Sequence, residues 1–334
     1  MFKSILATAV AAGAMLACAN LVSAQGLPTV KIHAVEGSVG GVPLMVMLEN
    51  KLDEKHGFKA NVDFLAMGGG FQAFLMGEYD ISNDEDAVGA ATARAEGFDI
   101  HGFLPYGNLY LGIVASGKSE AKTVADLKGK RVGHFGMESG TTTYLRQLVQ
   151  KTDGFDLTKE FDLQQAGPAA LVPMLEAGSI EAMLNFEPHI SAGMVATKGH
   201  FILQGTEGYK ATGDGFSPWI GIFASSSKWL TENPKLAYGF RAAIEESIDM
   251  IRKSDYAILK EPYIAKRLGV SSPEVLDQLA ANAKTYDYFT SEWTPEILVK
   301  ANAYLQTVAD EGVVLDEVPE KTLVTLEELI GPKP

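Results

Sequence analysis

The sequence predicts an α/β protein of two lobes, joined by a two-strand hinge, with a ligand cleft between the lobes. Three observations carry this. Strand-like runs alternate with glycine-bearing loops and helical runs over the first two thirds of the chain. Two apolar strand-like crossings, residues 108–116 and 216–224, bracket the second block of that pattern. The last third is helical. The expected division is 25–112 plus 220–334 for the first lobe and 113–219 for the second, behind a leader at 1–24.

The leader comes first in the chain. Lys3 gives a short basic start, residues 5–21 are mostly apolar, and Val22, Ser23 and Ala24 form a small-residue cleavage signal. The expectation is export to the periplasm with a cut near Ala24. Cys18 keeps a lipoprotein form open, although Met15, Leu16 and Ala17 make a poor lipobox. After Gln25 no apolar run is long enough to span a bilayer.

Composition narrows the function. Cys18 is the only cysteine and falls in the leader, which excludes disulfides, thiolate metal sites and a cysteine nucleophile from the mature chain. The formal charge is −14, and loss of Lys3 takes it to −15. Such acidity argues against nucleic acid, whose phosphates need Lys and Arg.

The elements then follow in order. Residues 30–35 alternate as a strand and run into a glycine loop at 36–43, followed by a helix from Leu44 to Leu52. A strand at 60–65, a loop at 68–70 and a short helix at 71–76 come next. A strand at 79–82 leads to Asn83, Asp84, Glu85 and Asp86, and an Ala-rich helix occupies 87–95. Beyond the strand at 100–104 and the first crossing, residues 123–128 form a short helical linker. Lys128 to Val132 is strand-like, and 133–143 lead into a helix that starts at Ser139, Gly140 and Thr141. A strand at 180–184 ends in Asn185, Phe186, Glu187, Pro188 and His189. The late helices open at cap-then-proline pairs, Asn233–Pro234, Ser272–Pro273 and Thr294–Pro295.

In parallel sheets, ligands sit at the carboxyl ends of strands. The loops at 36–43, 68–70 and 83–86 are such ends. The start at Ser139–Gly140–Thr141 reads in isolation as an ordinary N-cap. Opposite three loop ends of another lobe it reads as a binding wall of free N–H groups. Asp84, Glu85 and Asp86 either solvate a helix N-terminus or accept hydrogen bonds from an amine or amidine group. Facing a cleft, they would repel an anion. Of the aromatics near the cleft, Phe71, Tyr106 and Trp219 are the preferred walls for a flat or apolar ligand portion.

Other motifs fail on context. Gly112 to Ser119 fits a P-loop expression, but Ile113, Val114 and Ala115 read as strand where a wrapping loop is needed. The six histidines form no zinc-ligand spacing, and Asp84 with Asp86 lacks the remaining positions of a calcium loop. Gly136 and Gly140 around Ser139 are not the spacing of a nucleophile elbow. No metal and no cofactor is expected.

Several phrases together resemble one family. They are 74–81 (FLMGEYDI), 123–133 (TVADLKGKRVG) and 174–182 (MLEAGSIEA), combined with the leader and the glycine-loop start at 36–43. Their order and spacing are similar to the periplasmic substrate-binding proteins of ABC importers, in the SsuA/THI5-like group for sulfonate, nitrate, taurine and thiamine-pyrimidine. The resemblance covers nearly the whole mature chain. It implies a type II periplasmic binding protein fold, a monomer that delivers a small-molecule solute to ABC permease subunits, and no enzymatic activity. Relatives active in pyrimidine synthesis carry a cysteine-rich motif that the mature chain lacks. In that frame the expected contacts are Ser38, Gly40, Gly41, Gly69, Gly70, Phe71, Asp84, Asp86 and Tyr106 from the first lobe. The second lobe and the crossings supply Ser139, Gly140, Thr141, Asn185, Glu187 and Trp219. The expected ligand is a small polar organic molecule, either a sulfonate or taurine-like zwitterion or an aminopyrimidine-like nitrogen compound. The alternative is a secreted hydrolase-like enzyme using the same cleft.

Overall fold

A computed structural model of the chain describes residues 26–334 other than Met67, Glu138, Asp214 and 312–314. The leader and its cut at Ala24 lie outside the described residues.

Ten strands form two five-stranded sheets. The first sheet holds β1 (Thr29–Val35), β2 (Lys59–Leu65), β3 (Ile81–Glu85), β4 (His101–Asn108) and β10 (Trp219–Ser225). The second holds β5 (Leu111–Ala115), β6 (Arg131–His134), β7 (Asp162–Gln165), β8 (Ala182–Phe186) and β9 (His200–Gln204). The spatial orders are β2-β1-β3-β10-β4 and β7-β6-β8-β5-β9. They are one pattern used twice. In each sheet β-loop-α units give parallel pairs, and one strand that belongs to a crossing is inserted antiparallel in the fourth place.

The connections into the inserted strands carry the chain between the two sheets. The chain leaves the first sheet at Asn108 and enters the second at Leu111, then returns into β10 at Trp219. β5 is buried along its whole length and every residue pairs with β8. Its apolar sequence needs no polar face because helices cover both sides.

The late helices close the molecule. Pro234–Lys253 packs on the Val42–Glu49 helix, and Pro295–Glu311 packs on the Ala87–Ala95 helix. Pro273–Tyr286 packs instead on the His189–Thr197 helix, which follows β8 of the second sheet. The Ala-rich composition of 87–95 has a packing reason, because Ala90 and Ala91 are fully buried beside Leu305. Among the described residues, no helix is long and apolar enough to cross a membrane.

The turn at 38–41 is tightly built. Ser38 caps it, its Oγ accepting from Gly40 N–H at 3.1 Å. A Cβ at Gly40 would lie 2.7 Å from both Tyr106 Cε2 and the Tyr110 hydroxyl. The turn can lie against two tyrosines only because that position has no side chain. Gly40→Val should therefore destabilise the protein by about 1–3 kcal/mol, as overpacking does, read from urea unfolding midpoints.

Candidate functional site

The two sheets face each other with their strand ends, and a cavity of about 200 Å³ lies between them. From the first lobe come Val35 at the end of β1, Ser38, the run Asp84, Glu85 and Asp86, and Tyr106 on β4. The crossings add Tyr110 and Ile220. The second lobe adds Phe135 after β6, Ser139, Gly140, Thr141 and Tyr144 at the start of the Gly140–Asp153 helix, and Phe186 at the end of β8. Five aromatic rings and three carboxyl groups dominate this lining, and it includes no Lys, Arg or His.

The acid corner is held by backbone donors. Asp84 Oδ2 accepts from Gly68 N–H at 2.7 Å. Asp86 caps the 87–95 helix, its Oδ1 accepting from Val88 and Gly89 N–H at 2.8 and 2.9 Å. Asn83, buried beneath them, accepts from Val35 N–H and donates to the Gly40 carbonyl, while its own carbonyl accepts from the Tyr106 hydroxyl. This ties the corner, the 38–41 turn and the tyrosine wall into one unit.

Desolvation dominates the electrostatics. Burial pushes the Asp84 carboxyl up to about 6, although the Gly68 and Phe71 N–H groups favour its charge. Glu85 is pushed well above the carboxylate range, first by burial and then by the charges of Asp86 and Asp84. Asp86 is raised by burial against the Gly89, Tyr144 and Val88 donors. Behind the corner His33 is fully buried, with Nδ1 3.4 Å from Ser82 Oγ and Nε2 3.9 Å from Asp84 Oδ2. Burial lowers its pKa to about 4, so it is neutral near pH 7 and supplies no countercharge.

Across the cleft the helix start serves both as a cap and as a cavity wall. Ser139 Oγ accepts from Thr142 N–H at 3.2 Å and donates to the Gly136 carbonyl at 3.0 Å. Gly140 faces the first lobe so closely that a Cβ there would lie 2.9 Å from Asp86 Oδ2. The Tyr144 hydroxyl reaches the Asp86 carboxylate of the first lobe and, at 3.5 Å, the Trp219 carbonyl at the start of β10. A carboxylate of the protein itself thus lies close beside the helix start.

Residues 81–255 match the family model described as NMT1/THI5 like. The chain belongs to the NMT1/THI5-like family. Among solved structures it is similar to the periplasmic aliphatic sulphonate binding protein SsuA from Escherichia coli, with 18% identity and a TM-score of 0.70 over 89% of this chain and 91% of that one. It is also similar to the alkanesulfonate-binding protein SsuA from Xanthomonas axonopodis pv. citri bound to MOPS, with 20% identity and a TM-score of 0.66 over 91% and 99%. A third likeness is to a cysteine-to-serine mutant of DSZB in complex with biphenyl-2-sulfinic acid, with 14% identity and a TM-score of 0.61 over 92% and 97%. These likenesses show the fold, which is the two-lobe type II periplasmic binding protein. A comparison with curated protein sequences found no match.

Within this NMT1/THI5-like fold, the residues expected at the site separate into two groups. Ser38, Asp84, Asp86, Tyr106, Ser139, Gly140 and Thr141 line the cavity. The others stand elsewhere, each for a physical reason. Gly40 and Gly41 pack beneath it, against Tyr106 and Phe64. Gly70 lies over the His33 ring, where a Cβ would overlap it, and Gly69 faces open space. Phe71 borders a neighbouring chamber and packs on Phe74. Asn185 is fully buried and bonds the Pro168 carbonyl and Phe186 N–H. Trp219 is 2% exposed and packs on Trp293 at 4.7 Å. Glu187 is fully buried, its carboxylate accepting from Asn282, Tyr288 and Ser191 N–H at 2.9, 3.0 and 3.0 Å.

Sequence reasoning placed Tyr110, Phe135 and Phe186 near the cleft and Glu85 in the acid corner without choosing them as contacts, and it did not point to Tyr144, Val35 or Ile220. A signal existed for Tyr144: it follows Gly140 by four positions and so shares its helix face. Glu187 joins the end of β8 to the Pro273–Tyr286 helix, and its loss takes an acceptor from three buried donors. Glu187→Ala should cost about 2–4 kcal/mol of stability and Glu187→Gln clearly less, measured by chemical unfolding.

Proposed function

We propose that this protein is a non-enzymatic solute receptor of an ABC importer, working in the periplasm, whose cleft takes a small organic molecule bearing an amine or amidine group. The observation that carries the ligand class is the cavity lining: three adjacent carboxyl groups, five aromatic rings and no cationic side chain. An ammonium or amidinium group relieves the repulsion among the carboxylates and is attracted by the ring faces. An aminopyrimidine-like compound meets both demands. A taurine-like zwitterion would seat its sulfonate at the helix start close to the Asp86 carboxylate, so it is the weaker candidate.

Closure follows from the same geometry. The lobes are taken as 25–112 plus 220–334 and 113–219, and a ligand that touches both selects the closed form. The family fold supports delivery of the closed form to membrane permease subunits, and the receptor is taken to act as a monomer. The hydrolase alternative loses ground on geometry. Ser82, His33 and Asp84 stand in a serine–histidine–aspartate order, but Ser82 and His33 are fully buried and neither lines the cavity.

A thermal-shift panel of amines, aminopyrimidines and alkanesulfonates, followed by mass spectrometry of the ligand, tests the reading. The expected result is a rise in Tm with an amine-bearing compound recovered unchanged. A rise with sulfonates alone, or turnover of the compound, overturns it. Asp84→Asn and Asp86→Asn should each weaken amine binding at least about tenfold, the scale of one lost charge-assisted bond.

The raised Asp84 pKa gives this binding a pH dependence. The folded protein keeps that proton up to about pH 6, whereas the unfolded chain loses it near about 4. This group therefore favours the folded state fully below pH 4, and that contribution is lost as pH rises through 6. A cationic ligand needs the ionised carboxylate, so its Tm shift should grow from pH 5 to pH 7.5, and Asp84→Asn should flatten that growth.

A further inference from the structure

One residue of the acid corner differs from its two neighbours. Asp84 accepts from Gly68 and Phe71 N–H, and Asp86 accepts from Val88 and Gly89 N–H and from the Tyr144 hydroxyl. Glu85 stands between them as the last residue of β3. Among the described residues none donates a hydrogen bond to its carboxyl or forms an ion pair with it. Glu85 borders both the cavity of about 200 Å³ and the neighbouring chamber of about 500 Å³, so a ligand in either space meets it.

Gly89 lets Glu85 lie there. The 87–95 helix is rich in Ala, the best helix former, and a glycine inside it weakens it. A Cβ at Gly89 would overlap Glu85 Oε2 and lie 2.9 Å from Glu85 Cδ. The helix thus gives up an alanine where the carboxyl rests on its first turn. The atoms in the way are the end of a flexible side chain, so an alanine at 89 would move the carboxyl and spare the backbone.

A carboxyl with both oxygens open to a ligand matches a planar cation that offers two parallel N–H groups, as an amidinium or guanidinium does. An ammonium is a point charge and does not use that geometry. In the empty protein, burial and then the charges of Asp86 and Asp84 push Glu85 toward its protonated form. A cation set against both oxygens favours its ionisation.

We propose that Glu85 is the specificity-determining contact of the cleft, its two oxygens pairing side by side with the N–H groups of an amidinium or guanidinium ligand. Gly89 is its positioning residue. This rests on the amine reading above and narrows it from any amine to a planar N–C–N cation.

The test is calorimetric titration of the full mature chain at pH 7.5 with benzamidine, benzylamine and phenylmethanesulfonate. The two cations carry the same ring and differ in the fork against the point charge. Benzamidine should bind at least about tenfold more tightly than benzylamine, the scale of one further charge-assisted bond. In Glu85→Gln one acceptor oxygen becomes a donor, and in Gly89→Ala the intact carboxyl is displaced. Each variant should lose most of that preference, with circular dichroism reporting the fold. Equal binding of the two cations, or an unchanged preference in Glu85→Gln, overturns the assignment of Glu85 and leaves the amine reading intact. An unchanged preference in Gly89→Ala alone overturns the role of Gly89. If neither cation binds, whether or not the sulfonate does, the amine reading itself fails and this proposal falls with it.

Discussion

Three carboxyl groups in a row, at the end of β3 and the start of the next helix, have to be kept together where water is scarce and no cation is near. The rest of the site follows from how the protein manages that. Asp84 and Asp86 are given backbone N–H donors, which favour charge. Burial and mutual repulsion work the other way and push all three pKa values up. The balance leaves a corner that is under-compensated when empty, with His33 behind it neutral and unable to help. A positively charged or donor-rich group is what such a corner lacks.

The second lobe meets this corner with a helix start, and the pairing is unusual for a site that would take an anion. The helix start, with its partial positive charge, lies beside Asp86. Tyr144 adds a donor to the same carboxylate. The lobes are thus complementary to each other at the contact, and selectivity is left to the space beside it. Glu187 has the opposite fate. Its carboxyl oxygens accept from Asn282, Tyr288 and Ser191 N–H, which bind the end of β8 to a late helix.

Much of this was legible in the sequence. The alternation of strands, glycine loops and helices predicted two α/β units, and the helix at 87–95 lies where its composition and flanking acids put it. The two apolar crossings became β5 and β10. The strand at 200–204 and the helix after it were not read, because HFILQ is only partly buried and has no clean alternation. The reach of β3 was underestimated: Asn83, Asp84 and Glu85 are strand residues whose side chains meet a cavity and a buried turn, where hydrophobicity gives no signal. Asn185 and Glu187 looked like site residues because polar groups at a strand end so often are. The Glu187 side-chain partners lie 95 and 101 positions further along, at a distance no local pattern reports.

The place of β10 has a consequence for how the molecule comes together. β3 and β4 are consecutive in the chain but are not neighbours in the sheet, since β10 lies between them. As the chain emerges from its N-terminus, the first sheet has an unfilled slot with two open edges until residue 225 is made. The second sheet has no such wait, because β5 to β9 are continuous in the chain. All five strands of the second sheet thus precede β10 in the chain, although the Pro273–Tyr286 helix that packs on that lobe follows it. The strand that fills the slot also carries Ile220 into the cavity, so one element both closes the first sheet and lines the cleft.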